Sequence, residues 1–85
     1  MDTLWMLMAQ HQGKPIIPVD VVARDHFDLD RRVFLRKVDD GSIKLPVVRM
    51  EDSQKSAKGV HLHDLAEYLD GRRADARREY EQLHH

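Results

Sequence analysis

The first hydrophobic pattern in the chain is helical. Its apolar or ring-bearing positions recur three and four residues apart, as they do on one side of a helix: Leu4, Leu7, Met8 and His11. Asp2 or Thr3 is a suitable N-cap, and Gly13 followed by Pro15 stops the helix. The pattern therefore predicts a short first helix with one buried side.

A second short helix is predicted after an extended connector at residues 14–17, because the residue before each proline disfavours helix. Ile16 and Ile17 are expected to pack beneath the helices. Pro18 suits the first turn of the second helix. The apolar stripe of that helix is formed by Val19, Val22, Ala23 and Phe27.

A third helix is predicted over residues 31–40, with Asp30 as its N-cap and Gly41 as its stop. Phe27, Asp28 and Leu29 interrupt the preceding pattern, so the second and third helices are joined by a tight turn. At about 100° per residue, one side of the third helix carries Arg31, Phe34, Leu35 and Val38. The opposite side carries Arg32, Val33, Arg36 and Lys37.

A β-hairpin follows, with one strand at residues 45–50, which are rich in β-branched side chains, and the other at residues 59–62. A polar loop, residues 51–58, connects them. Pro46 lacks a backbone donor, so its strand is expected to lie at an edge or to pair only beyond that residue.

The last predicted helix covers residues 63–83. Its apolar pattern begins strictly and then loosens along the series Leu62, Leu65, Ala66, Leu69, Arg73, Ala76, Tyr80 and Leu83. The second half is too long and too charged to be covered by so small a body, so we expect it to project. Packing within the chain is one interpretation of its apolar positions. The other, which we prefer, is a homodimer interface formed by Leu69, Ala76, Tyr80 and Leu83.

The order helix, tight turn, helix and hairpin is that of a winged helix-turn-helix DNA-binding domain. With 85 residues the chain has room for a single domain, residues 1–85. The predicted fold class is therefore mainly α with a small β-hairpin, a winged helix-turn-helix with a longer C-terminal helix.

Charge is segregated along the chain although the net charge is only −1. Residues 31–58 hold eight basic and four acidic side chains, while the segments on either side are net acidic. This places the positive charge on the third helix and the hairpin, where it favours a nucleic-acid partner.

Double-stranded DNA is the predicted partner. Arginine on a helix in the major groove forms bidentate bonds to guanine or phosphate, and Val33 is placed to touch a thymine methyl group. The residues predicted to bind DNA on the third helix are Arg32, Val33, Arg36 and Lys37, and phosphate donors on and around the hairpin are Lys44, Arg49, Ser53, Lys55, Ser56 and Lys58. The competing interpretation is an ordinary solvated helix face.

The sequence does not favour an enzyme, a cofactor or a metal site. The carboxylate pairs lie on segments expected to be exposed, and no glycine-rich phosphate loop is present. Cysteine is absent. His61 and His63 share a strand face and His84 with His85 ends the chain, but no carboxylate is spaced to complete a tetrahedral site. The apolar start of the chain is too short to span a membrane, and we expect a cytoplasmic protein.

The chain resembles the pyocin activator protein family, bacterial and prophage regulators of phage-tail-like bacteriocin genes. The matching elements extend over nearly the whole chain. They are Thr3-Leu4, Leu7-Met8-Ala9, Ile17-Pro18, Arg36-Lys37, Leu45-Pro46, Gln54-Lys55-Ser56, Val60-His61 and the block from Asp64 to Asp70.

The resemblance implies an activator that binds a promoter element, with RNA polymerase as its downstream partner. Because Arg36-Lys37 and Gln54-Lys55-Ser56 lie in matched motifs, the resemblance supports these residues, including Gln54, as part of the DNA-binding surface.

Two alternative functions remain open at this point. An excisionase-like architectural protein has the same winged scaffold but acts by bending DNA. A protein-binding antirepressor would instead use its acidic outer helices to hold a partner.

Overall fold

The computed structural model describes residues 2–84 as four helices and a three-stranded antiparallel sheet with strand order β1-β3-β2. This agrees with the predicted class, and the sheet has one strand more than the predicted hairpin. The elements in chain order are α1 (Thr3–Gln10), β1 (Ile16–Pro18), α2 (Val19–Phe27), α3 (Arg31–Asp39), β2 (Val48–Arg49), β3 (Lys58–His61) and α4 (Leu62–His84).

Helix α1 begins and ends where the sequence predicts. The Asp2 carboxylate caps it by accepting the Leu4 N–H at 3.0 Å. Leu7 and His11 are buried, and Gly13, with a φ of +71°, turns the chain away. The first apolar stripe therefore faces the core.

The extended connector predicted at residues 14–17 is part of the sheet. Residues Ile16–Pro18 form β1, which pairs with β3 in the register Ile17↔Val60 and Pro18↔Gly59. Pro18 is the N-cap of α2 and the last strand residue, rather than a residue of the first helical turn. The extended conformation predicted for the connector is confirmed, but its pairing was not predicted, because a strand of three residues is too short for periodicity to reveal its partner.

The turn between α2 and α3 contains no glycine and uses Asp28 in its place. Asp28 is left-handed, at φ +54° and ψ +42°, a conformation that Asp tolerates better than most residues. The Leu29 N–H donates to the Ala23 carbonyl at 3.0 Å, which closes the end of α2. Asp30 then caps α3 by accepting the Val33 N–H at 2.9 Å. The predicted tight turn between the second and third helices is confirmed.

The first hairpin strand is shorter than predicted. Strand β2 contains only Val48–Arg49, paired with Lys58 and Gly59 of β3, whereas residues 45–50 were expected to be extended and paired. Leu45 is buried without belonging to the sheet. Pairing starts beyond Pro46 and the strand lies at the sheet edge, as its missing donor requires.

One apolar cluster links all four helices with the sheet. The Phe27 ring lies 5.1 Å from the Phe34 ring and 5.5 Å from the Tyr68 ring, so the helix-turn-helix is fixed against α4. Helix α4 has 23 residues. The buried members of the cluster are Leu7, Ile17, Val19, Val22, Ala23, Phe34, Ile43, Leu45, Val60, Leu62, Leu65 and Ala66.

Candidate nucleic-acid interface

The outer face of α3 carries three exposed arginines, Arg31, Arg32 and Arg36. Together with Leu35, Asp39 and Asp40 they line one shallow, open groove. Arg31 was expected on the core side of the helix, and its exposure corrects that prediction. An arginine side chain is seldom buried unless it is paired, so its charge outweighs the position that the wheel angle gives it.

A second groove lies between α3 and the hairpin. It shares Leu35 and Asp39 with the first groove, so the two surfaces adjoin. Three predicted DNA-binding residues of the hairpin line it, namely Arg49, Gln54 and Lys58. The fold therefore brings Arg32 and Arg36 together with these three residues on one continuous surface.

Val33 and Lys37 are half-buried and line neither groove. Both lie on α3, one residue after Arg32 and Arg36 respectively, and so are turned about 100° away around the axis. The predicted cationic face is thus split: its arginines are open to solvent, while Val33 and Lys37 border it.

Lys44 lies apart from the other predicted DNA-binding residues. Its side chain lines a groove against α4, together with Glu67, Tyr68 and Arg72. The sequence gives no signal for this separation, because the chain direction after α3 depends on how Ile43 and Leu45 enter the core.

The hairpin loop contains one exposed and one buried predicted contact. Lys55 is exposed, whereas Ser56 is only 6% exposed and its hydroxyl has no hydrogen-bond partner. The Lys58 ammonium donates to the Gln54 carbonyl at 3.0 Å, which holds the base of the loop closed. Of the three phosphate donors predicted at this end, the Lys55 side chain is exposed and the Lys58 side chain is half-buried, whereas Ser56 is buried.

Acidic residues limit the positive surface at the C-terminal end of α3. Hydrogen bonds from the side chain and backbone of Ser42, with the nearby charges of Lys37 and Arg36, lower the pKa of Asp40 below its ordinary value. Asp39 borders both grooves. The part of α3 suited to a polyanion is consequently its first two turns.

The four residues predicted for a dimer interface follow one side of α4. Leu69 is half-buried against the core and Ala76 is exposed. Tyr80 and Leu83 are 64% and 79% exposed. Pairing of two chains through these residues stays a prediction.

Within residues 2–84, no group of three or more His, Cys, Asp or Glu side chains is arranged to share a metal ion. His61 and His63 do not share a strand face as predicted, because β3 ends at His61 and His63 lies in the first turn of α4; their rings are in contact, with centroids 5.3 Å apart. His85, the second member of the terminal histidine pair, lies outside the described residues. No helix in the same part of the chain combines the length and the apolar character needed to cross a bilayer.

The chain matches a known protein family over most of its length. The sequence profile of the family described as pyocin activator protein PrtN matches residues 3–76. No curated protein and no solved structure matches the chain significantly. The matched segment contains α2, α3, the hairpin and the two adjoining grooves that α3 lines.

Proposed function

Because the chain belongs to the pyocin activator protein family, and so to a group of transcription activators, we propose that it binds duplex DNA sequence-specifically and activates bacteriocin or prophage genes. Helix α3 enters the major groove and the hairpin contacts the adjacent backbone. RNA polymerase is the downstream partner of the bound activator.

One observation carries this proposal: the exposed Arg31, Arg32 and Arg36 of α3 adjoin the groove that contains Arg49 and Lys58. A cationic surface of this kind attracts phosphates, and its helix presents side chains that can reach base edges. The left-handed turn at Asp28 and the Asp30 cap set the direction of that helix relative to the body.

Among the helices of residues 2–84, no other offers such a surface. Residues 31–38 of α3 contain four cationic side chains and no acidic one. Helix α4 also has four arginines, but acidic residues alternate with them, and Arg72 and Arg78 are both paired with Asp75. A duplex is therefore attracted to α3 and the hairpin in preference to α4.

The residues divide into two roles. Arg32 and Arg36 are four positions apart and lie on one face, so both guanidinium groups address neighbouring bases, where arginine pairs with guanine. Arg49, Lys55 and Lys58 hold phosphates along the hairpin. Val33 and Lys37, at the border of the face, contact a thymine methyl group and a phosphate. The Gln54 amide supplies a further donor and acceptor in the groove between α3 and the hairpin.

The first experiment selects bound sequences from a random duplex pool and measures the affinity of the recovered element by fluorescence anisotropy. We expect Arg36→Ala to weaken specific binding by about 1 to 3 kcal/mol and to relax the preference at one base position. Arg78→Ala is the matched control, because it removes an arginine from α4 and leaves both grooves intact. Equal losses for the two variants, or a pool with no enriched sequence, would overturn the proposal.

Salt dependence tests the electrostatic part separately. If each chain neutralises about four to six phosphates, log affinity falls with log salt at a slope of about −0.9 per contact. Lys58→Gln should reduce that slope by about one contact without changing the selected sequence. An affinity independent of salt is incompatible with the proposed surface.

Activation is tested by transcription in vitro with purified bacterial RNA polymerase and a promoter that carries the recovered element. We expect more transcript with the wild-type protein and none of this increase with Arg36→Ala. Strong DNA bending in circular-permutation gels without any effect on transcription would favour the architectural alternative instead.

A further inference from the structure

The apolar side of α4 continues beyond the body of the protein. Its positions follow alternating steps of four and three residues from the core to the end of the helix, which is the spacing of a coiled-coil seam: Leu62, Ala66, Leu69, Arg73, Ala76, Tyr80 and Leu83. Leu62 and Ala66, at the start of this seam, are buried in the core. Tyr80 and Leu83, at its end, are exposed.

The body ends about one third of the way along α4. The Thr3 hydroxyl at the beginning of α1 donates to the Asp70 carboxylate, and the Leu62 N–H donates to the Pro15 carbonyl just beyond the end of α1. Helix α1 therefore runs antiparallel to α4 and covers only its first part. From residue 71 to residue 84 no side chain is buried.

The charged residues beside the seam indicate what covers it. With Arg73 and Tyr80 at the a positions and Leu69, Ala76 and Leu83 at the d positions, the g positions are Arg72 and Glu79 and the e positions are Asp70 and Arg77. Residues at e and g set the orientation of paired helices. Along the helix, the g flank is therefore first positive and then negative, and the e flank is first negative and then positive.

From this pattern we propose that two copies of the chain pair through antiparallel α4 helices, crossing near residues 74 and 75. Antiparallel pairing places g opposite g and e opposite e. Arg72 then meets Glu79 of the second copy, and Asp70 meets Arg77 of the second copy, and two-fold symmetry doubles each pair. Every flanking contact joins opposite charges.

The parallel arrangement is unfavourable for the same residues. It would place g of one helix opposite e of the other in the next heptad, so that Arg72 would meet Arg77 of the second copy. Two such contacts would repel. In the antiparallel register Leu69 packs on Tyr80 of the second copy, and Arg73 lies over the small Ala76 of the second copy.

The arginines at these positions are available for new partners. Within one chain Arg72 lies 3.5 Å from Asp75 and Arg77 lies 3.7 Å from Glu81. All these side chains are largely exposed, and exposed pairs contribute little to stability. Exchanging them for contacts between chains costs little, while Tyr80, packed on Leu69 of the second copy, loses its contact with water.

This inference rests on α4 alone and does not depend on DNA binding, so its test needs no DNA. Sedimentation equilibrium of the full chain should show a monomer–dimer equilibrium. Tyr80→Asp should raise the dimer Kd by about tenfold or more, since it replaces the apolar ring packed on Leu69 of the second copy by a charged, strongly hydrated group. Arg78→Asp is the control at the outer f position and should leave the Kd within about twofold. Circular dichroism of each variant checks that α4 is intact.

Charge-reversal variants at residues 72 and 79 distinguish antiparallel from parallel pairing of the two α4 helices. Arg72→Glu should weaken the dimer by about tenfold, because the new carboxylate faces Glu79 of the second copy, and the added Glu79→Arg should restore it. In a parallel dimer Arg72→Glu would instead face Arg77 and strengthen association. A stronger dimer with Arg72→Glu, no rescue by the double variant, or a wild-type chain that stays monomeric at about 100 µM would overturn the proposal.

Discussion

His11 and His26 meet through their Nε2 atoms at 3.2 Å, which joins the end of α1 to the last turn of α2. His11 is 6% exposed and His26 is half-buried. In such a contact one nitrogen donates and the other accepts, so the two rings cannot both be fully protonated. The contact also anchors the first helix of the helix-turn-helix to α1.

The pair predicts a loss of stability in mild acid. Burial lowers the pKa of His26, the charge of His11 lowers it further, and Asp25 opposes both effects. Because the folded-state pKa lies below the unfolded value of about 6.5, the unfolded chain binds more protons between the two values. The free energy of unfolding should therefore be constant above about pH 7 and fall as the pH decreases through the folded-state pKa.

Chemical denaturation between pH 5 and 8 measures this effect. His26→Gln should flatten the curve, whereas His63→Gln, at an exposed histidine of α4, should leave its shape unchanged. An unaltered slope in His26→Gln would show that the acid sensitivity arises elsewhere.

Gly59 is expected to resist replacement because β1 and β3 approach closely at this residue. A Cβ atom added there would lie 2.8 Å from the Ile17 carbonyl oxygen and would also clash with the Ile16 side chain. Gly59→Ala should lower the free energy of unfolding by about 1 to 3 kcal/mol. Gly71→Ala is the matched control, since its site in α4 is open. That variant should be more stable by about 0.5 to 1 kcal/mol, and the same sign in both variants would contradict the explanation.

The helices could be predicted from the sequence because capping and periodicity are local. Asp2, Asp30 and Gly41 delimit α1 and α3 without reference to the rest of the chain. Strand β1 could not be predicted in this way, because Ile16 and Ile17 become strand residues only through pairing with residues 60 and 61.

The same distinction applies to the candidate site. Arg32 and Arg36 lie on the outer face of α3 as their spacing requires. The position of Lys44 beside α4 and the burial of Ser56 depend on loop paths that no local pattern specifies.

The Asp30 cap should couple stability to DNA affinity. Its carboxylate accepts the Val33 N–H at 2.9 Å in the first turn of α3, so Asp30→Ala should cost about 1 kcal/mol of unfolding free energy. Fraying of that turn would also displace Arg31 and Arg32, and we expect weaker binding to the selected DNA element. Asp30→Ser retains a capping oxygen and should recover most of both losses. If the Asp30→Ala chain is less stable but binds the DNA element with normal affinity, the cap does not contribute to DNA binding.

Replacing Ser56 by alanine is expected to stabilise the protein, because the buried Ser56 hydroxyl is unpaired. An unpaired polar group buried in a protein costs about 1 to 3 kcal/mol, and the Ser56 hydroxyl has no partner. Ser56→Ala removes the hydroxyl while keeping the backbone hydrogen bond from the Ser56 N–H to the Ser53 carbonyl at 3.1 Å. Thermal unfolding should show a stability gain of up to about 1 kcal/mol with unchanged DNA affinity. Ser53→Ala is the contrasting variant, because the Ser53 hydroxyl accepts the Lys55 N–H at 3.1 Å and its loss should loosen the loop. A Ser56→Ala protein with normal stability and weakened DNA binding would instead assign the hydroxyl to a phosphate contact, made after the loop rearranges.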